Sequence, residues 1–112
     1  IIPMHIEFSS VDLKELCESE RWAVRELGRP CAKKLFSRLA DLNAAENVSE
    51  LIAGRPHPLK GDRAGQFAVR LEGGKRLVFS PANEPLPLDG NGAVEWRRVT
   101  RVSIEFIGDY HD

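Results

Sequence analysis

No stretch of this 112-residue chain approaches the length of apolar sequence that crosses a bilayer, about 20 residues, so none of it reads as a membrane-spanning helix. The opening IIPMHIEF lacks the basic region of a secretory leader and runs straight into charged residues. Cysteine is scarce: Cys17 and Cys31 are the whole complement. With no CxxC and no neighbouring His, they offer no zinc site and are expected as buried free thiols, a usage that fits a reducing cytoplasm. There is no GxGxxG, no P-loop and no acidic cluster suited to magnesium, so nucleotide- and metal-dependent chemistry has no motif to stand on. The net charge of -1 removes any global electrostatic argument for a nucleic-acid partner.

What is present suits one globular domain, taken as residues 4–112. Residues 1–3 precede the first Met, as a vector remnant or an upstream start, and are set aside. Charge is unevenly spread. Between residues 55 and 79 the cations Arg55, Lys60, Arg63, Arg70, Lys75 and Arg76 face only Asp62 and Glu72, and Arg97, Arg98 and Arg101 form a second basic run.

Residues 4–8 alternate around Ile6 and Phe8 and predict a strand. Ser10 or Ser9 caps a helix expected over 11–27, with Leu13, Leu16, Cys17, Val24 and Leu27 largely on one face and Gly28 as its left-handed stop. Pro30 suits the first turn of a second helix ending near Asn43, whose stripe is Leu35, Phe36, Leu39 and Leu42. A short linkage makes the two an antiparallel hairpin, and a brief turn over 48–52 closes it. Beyond Gly54 the period becomes two. Phe67, Val69 and Leu71 face one way, Gly73-Gly74 makes a tight hairpin, and Leu77 and Phe79 continue the face. Residues 81–98 read as a Pro- and Gly-rich loop with a short excursion. In the last strand Thr100, Val102, Ile104 and Phe106 form the better core face. The expected architecture is α+β: an N-terminal strand and a helical hairpin packed on an antiparallel three-stranded meander.

Chemistry concentrates in RPHPLKGDRAGQF, residues 55–67, and in the terminal DYH. Pro56 and Pro58 stiffen the chain on both sides of His57, while Gly61 and Gly65 allow sharp turns around Lys60, Asp62 and Arg63. The same residues also fit a plain loop in which Asp62 and Arg63 pair with each other or with a helix end. In a meander, Arg76 and the chain end with Asp109, Tyr110 and His111 can converge on this loop. Cations, a phenol and imidazoles are an inventory for cleaving an RNA phosphodiester: a base for the 2′-hydroxyl, fixed positive charge for the phosphorane, and a proton for the departing 5′-oxygen. Histidine, with an ordinary pKa of about 6.5, serves either proton role, and arginine grips two phosphate oxygens. Tyrosine offers a flat face to an unstacked base.

HPLKGDRAGQF, followed by KRLVF and a terminal DYH, resembles the HigB branch of the RelE-like toxins, the plasmid-maintenance killer proteins, over residues 4–112. The resemblance implies a cytoplasmic toxin that cuts messenger RNA in the decoding site of a translating ribosome, with no cofactor and no metal. It also implies a HigA-like helix-turn-helix antitoxin as partner, with operator DNA met only through that antitoxin, and no membrane. Carried over, His57 is a proton-transfer residue or phosphate contact, Lys60 a phosphate contact or charge stabiliser, and Arg76 sits on the scissile phosphate. Asp109 orients its neighbours, Tyr110 stacks on or activates the nucleotide, and His111 completes the acid/base set. Arg55, Arg63 and Lys75 are the further RNA- or phosphate-binding residues. Lys75 stands where relatives often carry an aromatic, the 81–98 loop is longer than in compact members, and the chain is less basic than RNA binding favours. Two other readings are open: a ParE-like toxin acting on DNA gyrase through protein contacts, and a decayed member that only binds its antitoxin and helps repress their promoter. The helical hairpin is an expected antitoxin-docking face, although packing on the sheet accounts for most of its apolar stripe.

Overall fold

The structure, a computed structural model, describes residues 4–109. It runs β1 (His5–Phe8), α1 (Val11–Glu18), α2 (Glu20–Leu27), α3 (Arg29–Ala44), β2 (His57–Pro58), β3 (Phe67–Arg70), β4 (Arg76–Pro81) and β5 (Arg101–Gly108), with single 3-10 turns at Val48–Glu50, Gly61–Arg63 and Trp96–Arg98. The strands form one sheet in the order β1-β5-β4-β3-β2. The expected meander is its centre. It is extended on one side by β1, which pairs parallel to β5, and on the other by the two-residue β2, in a stretch expected as loop.

The helix expected over 11–27 is two helices. Ser10 caps the first, its Oγ accepting from the Leu13 N–H at 3.2 Å. Ser19 then leaves helical geometry (φ -121°, ψ 109°) and caps the second through Oγ and the Trp22 N–H at 3.2 Å. The break re-phases the apolar stripe. Cys17 and Ala23 are both buried, yet on a straight helix they would lie roughly a third of a turn apart. Gly28, with φ at 86°, is the single residue between α2 and α3.

The main core lies between the helices and one face of the sheet. Leu35 and Leu42 from α3 meet Phe67, Val69, Leu77, Phe79, Val102 and Ile104, and Cys17 and Cys31 are buried there as free thiols. Burial pushes the Cys17 thiol up to about 12, with Glu18 adding to it, and raises Cys31 as well. The opposite face holds a smaller cluster, Leu59, Ala68 and Val78 with Phe106 against them.

Two details of register decide what faces where. Across the β3–β4 hairpin the Leu71 N–H donates to Lys75 O at 2.8 Å, so Glu72, Gly73 and Gly74 form the connection and Arg70 stands opposite Arg76. Both glycines have positive φ. In β5 the pairing steps from Phe79↔Ile104 to Val78↔Phe106, which leaves Glu105 as a bulge. Phe106 therefore does not continue the face of Val102 and Ile104 as expected. It crosses to the helix-free side, and Ile107 takes the helix side.

The 81–98 segment leaves β4 at Pro81, opposite Val102, whereas Arg76 lies opposite Gly108 at the other end of that pairing. Its excursion is a bridge between Leu88 and Val94, with Asp89 Oδ1 accepting from the Asn91 and Ala93 N–H groups. Asn83 Oδ1 accepts from Thr100 N and Arg101 N, both at 3.0 Å, and Trp96 packs on Phe67 with ring centroids 4.8 Å apart. The loop is tied to the body at both ends, and it leaves the sheet at the end where residues 59–66 enter β3.

Candidate active site on the helix-free face

Residues opposed in neighbouring strands share a face, so the register alone lays out the surface. One row across the sheet is His57, Ala68, Val78 and Phe106; the next is Arg70, Arg76 and Gly108. Small side chains in the middle leave a floor, with an imidazole and a phenyl ring at its sides and two guanidinium groups along one end. His57 and Arg76 are two strands apart, roughly 10 Å across the sheet.

His57 is held from behind. Gly54 (φ 85°) approaches β3 so closely that its carbonyl accepts from the Arg70 N–H at 2.6 Å, and a Cβ there would lie 3.1 Å from Arg70 O. Arg55 follows in the left-handed region at φ 48°, unlike every other described residue except glycines. Its carbonyl accepts from His57 Nδ1–H at 2.8 Å. A carbonyl oxygen only accepts, so in the neutral ring the proton is on Nδ1 and the lone pair on Nε2. Such a histidine takes a proton when neutral and gives one when charged. Arg55 thus serves through its backbone, while its side chain is exposed.

The loop beyond β2 folds over the same face. Leu59 is buried on Ala68 and Val78, and Lys60, exposed, precedes the 3-10 turn that carries Arg63. Arg63 does not simply pair with Asp62. Its Nη1–H donates to Gln66 Oε1 at 3.2 Å, and its guanidinium carbon lies 4.7 Å from the centre of the Phe106 ring.

At the end of the sheet Arg76 Nη1–H donates to Gly74 O at 2.5 Å. A Cβ on Gly74 would lie 3.8 Å from both carboxylate oxygens of Asp109, so that carboxylate hangs over the same turn. Arg76 and Asp109 therefore border the same turn. Lys75 goes elsewhere: it is opposite Leu71 on the helix side, close enough to Cys31 to lower that thiol's pKa against the larger effect of burial. Tyr110 and His111 lie outside the described residues. Among the described residues no group of three or more His, Cys, Asp or Glu could hold a metal ion.

A YoeB/ParE toxin from Agrobacterium tumefaciens superposes with a TM-score of 0.61 at 15% identity, over 96% of this chain and 100% of that one. A YoeB dimer from Staphylococcus aureus gives 0.56 at 18% identity, over 98% and 99% of the two chains. The YoeB–YefM complex from the same organism gives 0.52 at 21%, over 97% and 98%. The chain has the YoeB/ParE toxin fold. The likeness is structural: no family model and no curated protein matches the sequence.

The resemblance to RelE-like toxins thus holds at the level of the YoeB/ParE fold. On that fold His57, Arg63, Arg76 and Asp109 share one region, and Lys60 borders it. Sequence reasoning missed two contributors. Arg70 was visible in the basic window, but its place beside Arg76 depends on the hairpin register. Phe106 was assigned to the core because alternation was counted through the bulge. The helix layer carries a separate open groove of about 610 Å³ between α2 and α3, lined by Val24, Ala32, Phe36, Glu20, Arg29 and Lys33 among others, well away from this chemistry.

Proposed function

We propose that this chain is the toxin of a toxin–antitoxin pair and a ribosome-dependent, metal-independent endoribonuclease of the HigB type. The observation that carries this reading is His57, whose Nδ1–H is committed to Arg55 O, so that Nε2 is the ring's proton-transfer atom beside the Arg70–Arg76 pair. Like charges directly opposed across two strands repel, and a phosphate group relieves that repulsion. In the reaction the 2′-oxygen attacks phosphorus as its proton passes to a base. The P–O5′ bond breaks as an acid delivers a proton to O5′, and the arginines stabilise the phosphorane between those events. His57 and His111 divide the proton roles, Tyr110 receives the base, Asp109 orients its neighbours, and Lys60, Arg63 and Arg55 hold flanking phosphates. Lys75, on the helix side of the turn, is the weakest member of the set. The partners are the ribosome with its message and a HigA-like helix-turn-helix antitoxin, through which operator DNA is met. That the like-folded S. aureus YoeB is found in complex with YefM supports an antitoxin partner. The cytoplasm is the compartment this activity requires.

The test is to induce the chain without antitoxin in bacteria, beside a Tyr110→Ala/His111→Ala variant, and to map messenger-RNA 5′ ends by primer extension. New ends within translated frames that vanish in the variant are the expected result. Growth arrest with intact messages would replace this reading with a gyrase-type protein target, and no arrest from soluble protein would favour the binding-only member.

A further inference from the structure

Among the described residues the helix-free face carries one aromatic ring, Phe106, and two features of the backbone put it there. The bulge at Glu105 turns Phe106 away from the side occupied by Val102 and Ile104 and sets it opposite Val78. Two residues later Gly108 leaves room for the ring: a Cβ there would lie 3.1 Å from Phe106 Cζ and 3.4 Å from Cε2. A methyl group at position 108 would push the ring aside. Phe106 packs on Leu59, Ala68 and Val78 from below, and Arg63 stacks above it at 4.7 Å while its edge is held by Gln66. A ring face and an amide oxygen together restrict both the tilt and the rotation of the guanidinium plane. A flexible arginine on a 3-10 turn otherwise spends much side-chain entropy on meeting a phosphate, and pre-ordering removes that cost from binding.

We infer that Phe106 is a positioning residue for Arg63, fixing its guanidinium over the helix-free face for a phosphate of the RNA. The inference rests on the nuclease reading above for the identity of the ligand, but not for the contact itself. It explains why β5 interrupts its own ladder at Glu105: without the extra residue the ring would enter the helix-side core, and Arg63 would lose its platform.

The experiment uses the full chain as wild type, Phe106→Leu, Phe106→Tyr, Arg63→Ala and the Arg63→Ala/Phe106→Leu double variant, each checked for cooperative unfolding. Single-turnover cleavage of message on programmed ribosomes is measured against toxin concentration. Phe106→Leu keeps an apolar side chain and loses the ring face. It should raise the half-saturating concentration about threefold and leave the saturated rate within about twofold, the size of one partly exposed cation–π contact. Phe106→Tyr should restore the wild-type value, and adding Phe106→Leu to Arg63→Ala should change nothing further. In parallel, NMR relaxation of the Arg63 Nε–Hε group should show it ordered in the wild type and Phe106→Tyr and mobile in Phe106→Leu. An unchanged half-saturation in Phe106→Leu, an equal loss in the Arg63→Ala background, or an Arg63 that stays ordered without the ring would each overturn the inference. If the wild type cuts no message, the nuclease reading fails, and the NMR comparison still decides whether Phe106 positions Arg63.

Discussion

The two faces of the sheet are built from alternate residues of the same strands and obey different rules. On the helix side Phe67, Val69, Leu77, Phe79, Val102 and Ile104 are buried and apolar, closed against Leu35 and Leu42. On the other side the same strands offer Ala68 and Val78 as a floor, with His57, Arg70 and Arg76 around it. Period-two alternation thus separates the residues that hold the fold from the polar and charged residues of the candidate site, with no insertion needed to expose them. The separation has a cost. Cations directly opposed on one face work against folding, so most of the stability has to come from the other face, with the small Leu59, Ala68 and Val78 cluster adding to it.

The sharpest break of this comparison is Phe79→Ala. Phe79 is fully buried, stacks on Phe67 with centroids 5.5 Å apart, and has no part in the site. Its truncation should cost about 3–5 kcal/mol, a large part of the stability of a domain this size, read by urea denaturation. The mirror experiment is Arg76→Ala. It should reduce single-turnover cleavage on the order of a hundredfold. It should move the urea midpoint little, because the guanidinium lies at the rim of the sheet. If Arg76→Ala unfolds the protein, or leaves cleavage intact, the division between the faces is wrong.

Much of this division was legible in the sequence, because Phe67, Val69, Leu71, Leu77 and Phe79 keep their alternation through the β3–β4 hairpin. A two-residue turn at Gly73-Gly74 would have put Arg76 opposite Leu71, on the wrong face. The apolar pattern selects the three-residue connection instead. The Ser10 cap and the α3 stripe were legible for similar local reasons. What could not be read depends on partners distant in sequence. The break at Ser19 follows from burying Cys17 and Ala23 together against a sheet not yet formed, and β2 exists only because β3 offers its edge. The bulge at Glu105 is invisible in an otherwise regular strand, so Phe106 went to the wrong layer. His57, Arg63, Arg76 and Asp109 were singled out as candidates from their motifs alone. Arg55 also holds His57 through its carbonyl, which no side-chain pattern reveals.

Gly54 tests how the helix-free face is kept in place. Its positive φ and its close approach to Arg70 O and Arg38 Cδ, both 3.1 Å from an added Cβ, make Gly54→Ala strained whichever side yields. The expected stability loss is about 1–2 kcal/mol. Because the displaced backbone also carries the Arg55 carbonyl behind His57, cleavage should fall roughly tenfold, a larger share than stability alone explains. Equal stability with full activity would show that the clip to β3 does not set the histidine.

The smallest effect probes the helix side through pH. Burial raises the Cys17 thiol from 9.0 to about 12, so in the folded protein it keeps its proton where the unfolded chain has released it. The unfolded state then binds fewer protons than the native state, and stability falls as pH rises. Any contribution from Cys17 is therefore complete below pH 9.0 and declines toward about 12. The loss should reach about 1 kcal/mol between pH 9 and 10. Other groups titrate in the same range, so the measurement is a difference: urea unfolding of wild type and Cys17→Ala at pH 8, 9 and 10. The wild type should lose the extra amount and the variant should not, since alanine fills part of the same space without a proton to release. Parallel curves would mean that the thiol meets water in the native state and that the helix side is less closed around α1 than around Leu35 and Phe79.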